Sequence, residues 1–379
     1  MSMEKIQPGA TAANMDEPKL RDAFRLLDDA VTRGDTPGGV ALIGRHGRIA
    51  GLYATGAAHT AAVVTDHAGE AVIPARTDTI YDCASLTKVV ATLPLVLQLV
   101  ERGLLRLSDP VAEYIPAFAA GGKEAVTVRQ LLTHTSGLIS HINMYSHGWT
   151  PEEIKQHVFS RPLDYEPGTK AVYSDLGFIT LGEIVSVLTG EPLDAAAAKY
   201  VFAPLGMNNT RFLPLEAEGQ RPRIAATEYN EALGRHKLGE VHDENALALG
   251  GVSGHAGLFS TAEDLAKYAA MWLAGGRIGD TGRLLSEASV AAATRSCTDQ
   301  LPAARGLGWV LKGDSFDASG DLMSPSCYGH TGFTGTSIWM DPALDCFAVL
   351  LTNRVHFGRE KSVARLRGCF HNVVAAACL

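Results

Sequence analysis

Apolar and polar positions follow two different periods along this chain, and the change of period marks its organisation. Leu20, Phe24, Leu27 and Val31 recur at helical spacing behind Asp16-Glu17-Pro18, a helix-start signature, and Gly34 closes the segment. Two strand-like runs follow at 39–45 and 48–55, joined at His46-Gly47 as in a hairpin. Residues 79–83 read as a further extended piece. Residues 86–102 are then apolar almost all round, the mark of a helix buried on every side. The middle of the chain is dense in helix starts: Asp109-Pro110, Thr127-Val128-Arg129-Gln130, Thr150-Pro151-Glu152-Glu153 and Ser260-Thr261-Ala262-Glu263. Helices are expected at 176–189 and 262–273. The strand pattern returns at 308–311, 337–340 and 346–351, and a last helix is expected at 359–377.

This order predicts an α/β (α+β) fold. One antiparallel sheet is built from both ends of the chain and flanked by the N- and C-terminal helices, beside an all-helical lobe. Residues 1–80 and 295–379 are expected to form the sheet lobe and 81–294 the helical lobe, with the site in the cleft between them.

Composition narrows the function classes. The net charge of −8 over 379 residues argues against a nucleic-acid partner, which calls for a basic face. The most apolar run, 89–100, contains Gln98 and is too short to span a bilayer. The first nineteen residues lack the charged start and apolar core of an export signal. A cytoplasmic location is therefore expected, or a periplasmic or extracellular one if a leader has been removed. The six cysteines form no C-x-x-C pair and read as free thiols, with Cys83 expected within reach of thiol reagents.

The chemistry concentrates in three places. Ser85-Leu86-Thr87-Lys88 sets a hydroxyl and an amine on one face of a helix start. Unpaired N–H groups there favour negative charge on the serine oxygen, and burial pushes the lysine toward its neutral form. Roughly one or two Ser-x-x-Lys matches arise by chance in a chain of this size, and Ser2 to Lys5 is a second one. Only the first opens a buried helix. Tyr173-Ser174-Asp175 stands on a loop ahead of a helix, where a phenol can carry a proton. His330-Thr331-Gly332 precedes a strand, where a threonine and a backbone N–H can hold an extended acyl group as an added strand would.

In that order the three segments resemble the Ser-x-x-Lys, Tyr-x-Asn and Lys-Thr-Gly motifs of the serine β-lactamases, penicillin-binding DD-peptidases and their esterase relatives. Within that superfamily the chain is most similar to class C β-lactamases, family VIII carboxylesterases and penicillin-binding protein 4B-type carboxypeptidases. Leu131-Leu132-Thr133-His134-Thr135-Ser136-Gly137 and Gly254-His255-Ala256-Gly257 support the likeness, which runs over about 38–353. The resemblance implies Ser85 as nucleophile, Lys88 as its base, and Tyr173 as partner base and leaving-group acid. It implies an oxyanion hole from the Ser85 and Phe333 N–H groups. Asp175, His330, Thr331 and Gly332 would face a small ester, β-lactam or short peptide. No metal or cofactor is implied.

Two positions depart from the pattern. Asp175 replaces an asparagine that can donate, whereas a carboxylate only accepts. His330 replaces a permanently charged lysine and can hold a substrate carboxylate as a cation only at acidic pH. Both favour esters over efficient β-lactam hydrolysis. A D-alanyl-D-alanine carboxypeptidase and a non-catalytic peptide- or acyl-binding relative are the alternatives. His242-Asp243 reads as an orienting or bracing pair, His134 as a histidine at a helix end, and His255 as turn packing. The G-x-S-x-G and H-E-x-x-H patterns of other hydrolases are absent.

Overall fold

The computed structural model describes residues 10–60, 72–216, 221–280 and 282–379. Ser2 and Lys5 lie outside them. Strands β1 (Gly38–Arg45), β2 (Arg48–His59), β3 (Ile73–Pro74), β4 (Val310–Leu311), β5 (Tyr328–Thr331), β6 (Ser337–Asp341) and β7 (Cys346–Thr352) form one sheet in the order β4-β5-β6-β7-β1-β2-β3. All pairs are antiparallel. Both ends of the chain thus supply the sheet, and β1 pairs with β7 from Gly39 opposite Thr352 to Arg45 opposite Cys346.

The continuous apolar run of β1 follows from its position, since both of its faces are covered. Val40 and Leu42 belong to the core shared with the helical body, while Ala41 and Ile43 face α1 (Glu17–Thr32) and the C-terminal helix. Asp16 caps α1 by accepting from the Lys19 N–H at 3.1 Å, a bond worth about 1 kcal/mol.

The first buried helix contains one wide turn. Pro94 has no N–H to return to the preceding turn, and residues Lys88–Thr92 widen so that the Leu93 N–H reaches the Lys88 carbonyl. The segment continues as α2 (Leu93–Glu101). Next come α3 (Asp175–Thr189), a long buried helix capped by Ser174, and α4 (Ala262–Leu273). Helix α4 lies within the span expected for the helical lobe, yet it packs on β1, β6 and β7. It covers the sheet face opposite α1 and α5 (Ala364–Ala376).

Three expected helix starts differ. Thr261, not Ser260, caps α4, because Ser260 is the last residue of strand Leu258–Ser260. The Asp109 carboxylate accepts from the Arg106 N–H and the Tyr114 hydroxyl, so only a short turn follows it. The last helix begins at Ala364 rather than 359. Among the described residues no single helix is long and apolar enough to cross a membrane.

Candidate active site

The site grows from a short strand, Tyr81–Asp82, that pairs with Leu258–Ser260. Ala84 follows with φ 45°, in the left-handed region that a non-glycine residue occupies at a cost of about 1–2 kcal/mol. Two bonds hold it there: its N–H donates to Asp82 Oδ1 at 2.8 Å, and Thr87 Oγ1 donates to its carbonyl at 2.6 Å. Ser85 comes next. From Thr79 to Leu97 it is the one residue that is not buried. Cys83 is buried, against the expectation that reagents reach it, and its thiol is pushed up chiefly by that burial.

Lys88 is fully buried below Ser85. Its Nζ spends three donors, on Ser85 Oγ at 3.1 Å, the His255 carbonyl at 3.0 Å and Asp175 Oδ1 at 2.7 Å. Burial alone would depress its pKa, as the sequence suggested. The Asp175 carboxylate and the Tyr173 hydroxyl overcome that and hold it above the ordinary lysine range. The resting group is an ammonium, not a free amine. Asp175 is the other half of the pair. Burial opposes its charge, but Lys88, His141 and His255 keep it well below the usual carboxylate range.

Tyr173 lies against the ammonium, its ring centroid 4.9 Å from Lys88 Nζ. Burial pushes its phenol up, while Lys88 and contact with Ser85 pull it down. His134 sits 4.6 Å from the ring, and its Nδ1 accepts the Ser174 N–H at 3.0 Å. Burial and the Arg305 charge hold His134 well below its ordinary pKa. It is therefore neutral and does not act as a cation at a helix end. Phe316, half exposed, stacks on Tyr173 at 5.5 Å.

His330 does not supply a cation. It is buried, its Nδ1 bonds its neighbour Thr331's carbonyl at 2.8 Å, and burial with the Lys88 and Arg305 charges brings it down to about 3. Asp175, expected to face substrate, is occupied by Lys88 and His141. Thr331 ends β5 half-buried, and the Gly332 N–H is turned back to the Thr336 carbonyl at 2.7 Å. The turn 332–336 is tied to the serine loop by Thr336 Oγ1 to the Cys83 carbonyl and Thr334 Oγ1 to the Asp82 carbonyl. From behind, Arg367 of α5 donates to the carbonyls of Gly332 at 2.9 Å and Thr336 at 2.8 Å. Among the described residues the Ser85 and Phe333 N–H groups donate to nothing.

His242 and Asp243 do not pair. The His242 N–H donates to Asp82 Oδ2 at 2.7 Å, its ring meets Glu228 at 3.0 Å, and it stacks on Phe333 at 5.7 Å. Asp243 instead binds the buried ring of His255 at 2.9 Å, and His255 bonds Ser253 on its other nitrogen. Asp175, Asp243 and His255 offer ligand atoms within 4.8 Å of one another, the one such trio among the described residues. Each is already engaged by Lys88, His141 or its neighbour in the trio. A separate surface pocket of 410 Å³ is lined in part by Tyr145, Glu228, Lys237 and Glu244 and by none of Ser85, Lys88, Tyr173 or this trio.

Sequence reasoning missed two residues. His141 Nδ1 lies 3.4 Å from Asp175 Oδ2, and Arg305 lies against both Phe316 and Tyr173, its guanidinium carbon 4.9 and 5.9 Å from their centroids. Neither stands in a local pattern that points to the site.

A hydroxyl, an ammonium and a phenol thus converge at the mouth of an interior helix beside a strand end. The Beta-lactamase family model matches this chain over residues 23–369. The chain belongs to the beta-lactamase family. A curated relative from Escherichia coli (strain K12), named "Putative D-alanyl-D-alanine carboxypeptidase", is 37% identical over 318 residues, covering 76% of this chain and 72% of the relative. A penicillin-binding protein homolog from Caulobacter crescentus shares the fold with a TM-score of 0.74 at 21% identity, over 96% of this chain and 98% of that one. EstCE1, titled a hydrolase with promiscuous acyltransferase activity, aligns with a TM-score of 0.72 at 22% identity, over 94% and 99%. This beta-lactamase family member is a serine hydrolase.

Proposed function

We propose that the chain hydrolyses small carboxylic esters through an acyl-enzyme on Ser85. One observation carries this reading: the single accessible residue in a long buried run is a serine whose oxygen lies 3.1 Å from Lys88 Nζ. In acylation, once the Lys88–Tyr173 pair has given up one proton, the Ser85 oxygen bonds the ester carbonyl carbon and its own proton passes to that pair. The tetrahedral oxyanion is held by the Ser85 and Phe333 N–H groups, each worth about 3–4 kcal/mol in the transition state. As the carbonyl reforms, the alkoxide leaves with a proton from Tyr173. Water then repeats the sequence on the acyl-serine and releases the acid.

The neutral His330 and the carboxylate at Asp175 support esters over substrates that carry a carboxylate. One observation favours a second reading, a D-alanyl-D-alanine carboxypeptidase. Arg305 is buried beside Tyr173 and pairs with Asp314 through Nε and Nη2, while its Nη1 is without a partner among the described residues and offers one N–H donor to a peptide's terminal carboxylate. The Escherichia coli relative's name points the same way.

Intact mass spectrometry after brief exposure to p-nitrophenyl butyrate, a D-Ala-D-Ala peptide and a β-lactam separates these readings. The ester is expected to leave an acyl mass that Ser85→Ala abolishes, with the fold retained. Turnover of the ester by Ser85→Ala at the wild-type rate would remove the assignment.

A further inference from the structure

The resting site poses a difficulty for acylation. Lys88 is held as an ammonium with three occupied donors, and an ammonium cannot take the Ser85 proton. A proton must leave Lys88 first. The Asp175 carboxylate alone is a poor final acceptor, because the charges around it favour its ionised form.

His141 stands where that proton can go. Asp175 uses opposite oxygens, Oδ1 to Lys88 at 2.7 Å and Oδ2 to His141 at 3.4 Å. The His141 side chain is 44% exposed, while Lys88 is sealed. Its loop is fixed from both sides. The Asp175 N–H donates to the Ser140 carbonyl at 2.9 Å, and Ser174 Oγ to the Ile139 carbonyl at 2.7 Å. Asn245 binds the Ile142 carbonyl at 2.8 Å and the Met144 N–H at 3.0 Å. Bonds to the start of α3 on one side and to Asn245 on the other hold the imidazole against the carboxylate as part of the fold.

We propose that His141 is a positioning residue that acts through Asp175, taking the Lys88 proton and leaving a neutral amine beside Ser85. One proton leaves Lys88 Nζ for Asp175 Oδ1, and a half-turn of the neutral carboxyl about its Cβ–Cγ bond carries that O–H to His141 Nδ1, which takes the proton. Lys88 ends neutral, Asp175 is again a carboxylate, His141 is a cation, and the number of protons in the trio is unchanged. The charges facing His141 favour this. Asp175, Asp243 and Glu244 are the carboxylates around it, and they raise its proton affinity. Across Asp175, the Lys88 cation loses charge in the same step, and His255 lies against Asp243. Burial of Lys88 works in the same direction.

The consequence is a pH signature. At low pH both Lys88 and His141 are protonated and the amine cannot be released. Losing one proton from the trio makes the site competent, and that loss occurs near the histidine's pKa rather than the lysine's. The inference rests on the Ser85 acyl-enzyme reading, so the experiment reads both. Wild type, His141→Asn and His141→Gln are assayed for kcat/KM on p-nitrophenyl butyrate across the pH range, with Ser85 labelling by a fluorophosphonate followed by mass. The expected result is an acid limb at a histidine-like pH in wild type, moved up by about one pH unit or more in both variants with Ser85 still labelled. An acid limb at the same pH in all three proteins, with Ser85 labelled, overturns the inference and leaves the acyl-enzyme intact. Failure to label Ser85 in folded wild type overturns the acyl-enzyme reading itself. Thermal melts identify a variant that has merely lost its fold, and the second substitution then carries the comparison.

Discussion

Replacing Lys88 by methionine tests the buried ion pair directly. Methionine fills most of the lysine's volume, so the main loss is the charge. Lys88 is fully buried and the Asp175 side chain is 16% exposed, so removal of the amine leaves a carboxylate nearly without water. Breaking a buried pair from one side costs about 3–5 kcal/mol. His141 and His255 remain near Asp175 and offset part of that, which places the expected loss near 3 kcal/mol. The pH dependence carries more information than the size. In wild type the folded Asp175 is depressed, so its contribution is present above about pH 4 and fades only as pH falls through the folded value. The folded Lys88 is raised, so its contribution is full below about pH 10 and fades as pH rises beyond that. Between those limits the pair's contribution is flat. In Lys88→Met, burial acts on Asp175 with its main cation removed and moves its pKa upward from the wild-type value. The variant should then lose less stability relative to wild type at about pH 5 than at about pH 8. Urea unfolding at both pH values measures this, and Lys88→Met/Asp175→Asn should recover most of the loss. A single variant within about 1 kcal/mol of wild type at both pH values would refute the desolvated pair.

Two more predictions address the strand end. Gly332→Ala should lower kcat for esters by tenfold or more, about 1.4 kcal/mol or above, because a Cβ there would lie 2.1 Å from Thr336 Oγ1 and 2.5 Å from the Cys83 carbonyl. Unchanged steady-state kinetics in a folded variant would show that the turn and the serine loop are not coupled. Because His330 is already neutral well above about 3, KM for an anionic ester should not follow a histidine titration across about pH 5–8. A KM that rises through that range, and no longer does so in His330→Gln, would contradict its burial.

Much of the fold was legible because it is written in local periods. Leu20, Phe24 and Leu27 mark α1, and His46-Gly47 joins β1 to β2 where a hairpin was read. Covered faces gave continuous apolar runs in β1 and β7. The ends of elements were less legible, since Thr261 and Ser260 are both competent caps and only the strand ending at Ser260 decides between them. In the site, residues within one motif were visible and their charge states were not. Lys88 reads as a depressed amine because its helix is apolar; a negative Asp175 opposes that only if it lies close, and the 87 positions between them become a 2.7 Å contact only on folding. His141 and Arg305 carry no pattern of their own, because their roles come from backbone bonds and stacking that appear only on folding.

The guanidinium of Arg367 gives the outer side of the sheet a hand in the cleft. It grips two carbonyls of the turn that contains Phe333, so under the proposed role of the Phe333 amide a displacement of the last helix would reach the oxyanion position without crossing the substrate. On that proposal, substitutions in α5 would tune turnover while every group proposed to meet the acyl substrate stays as it is.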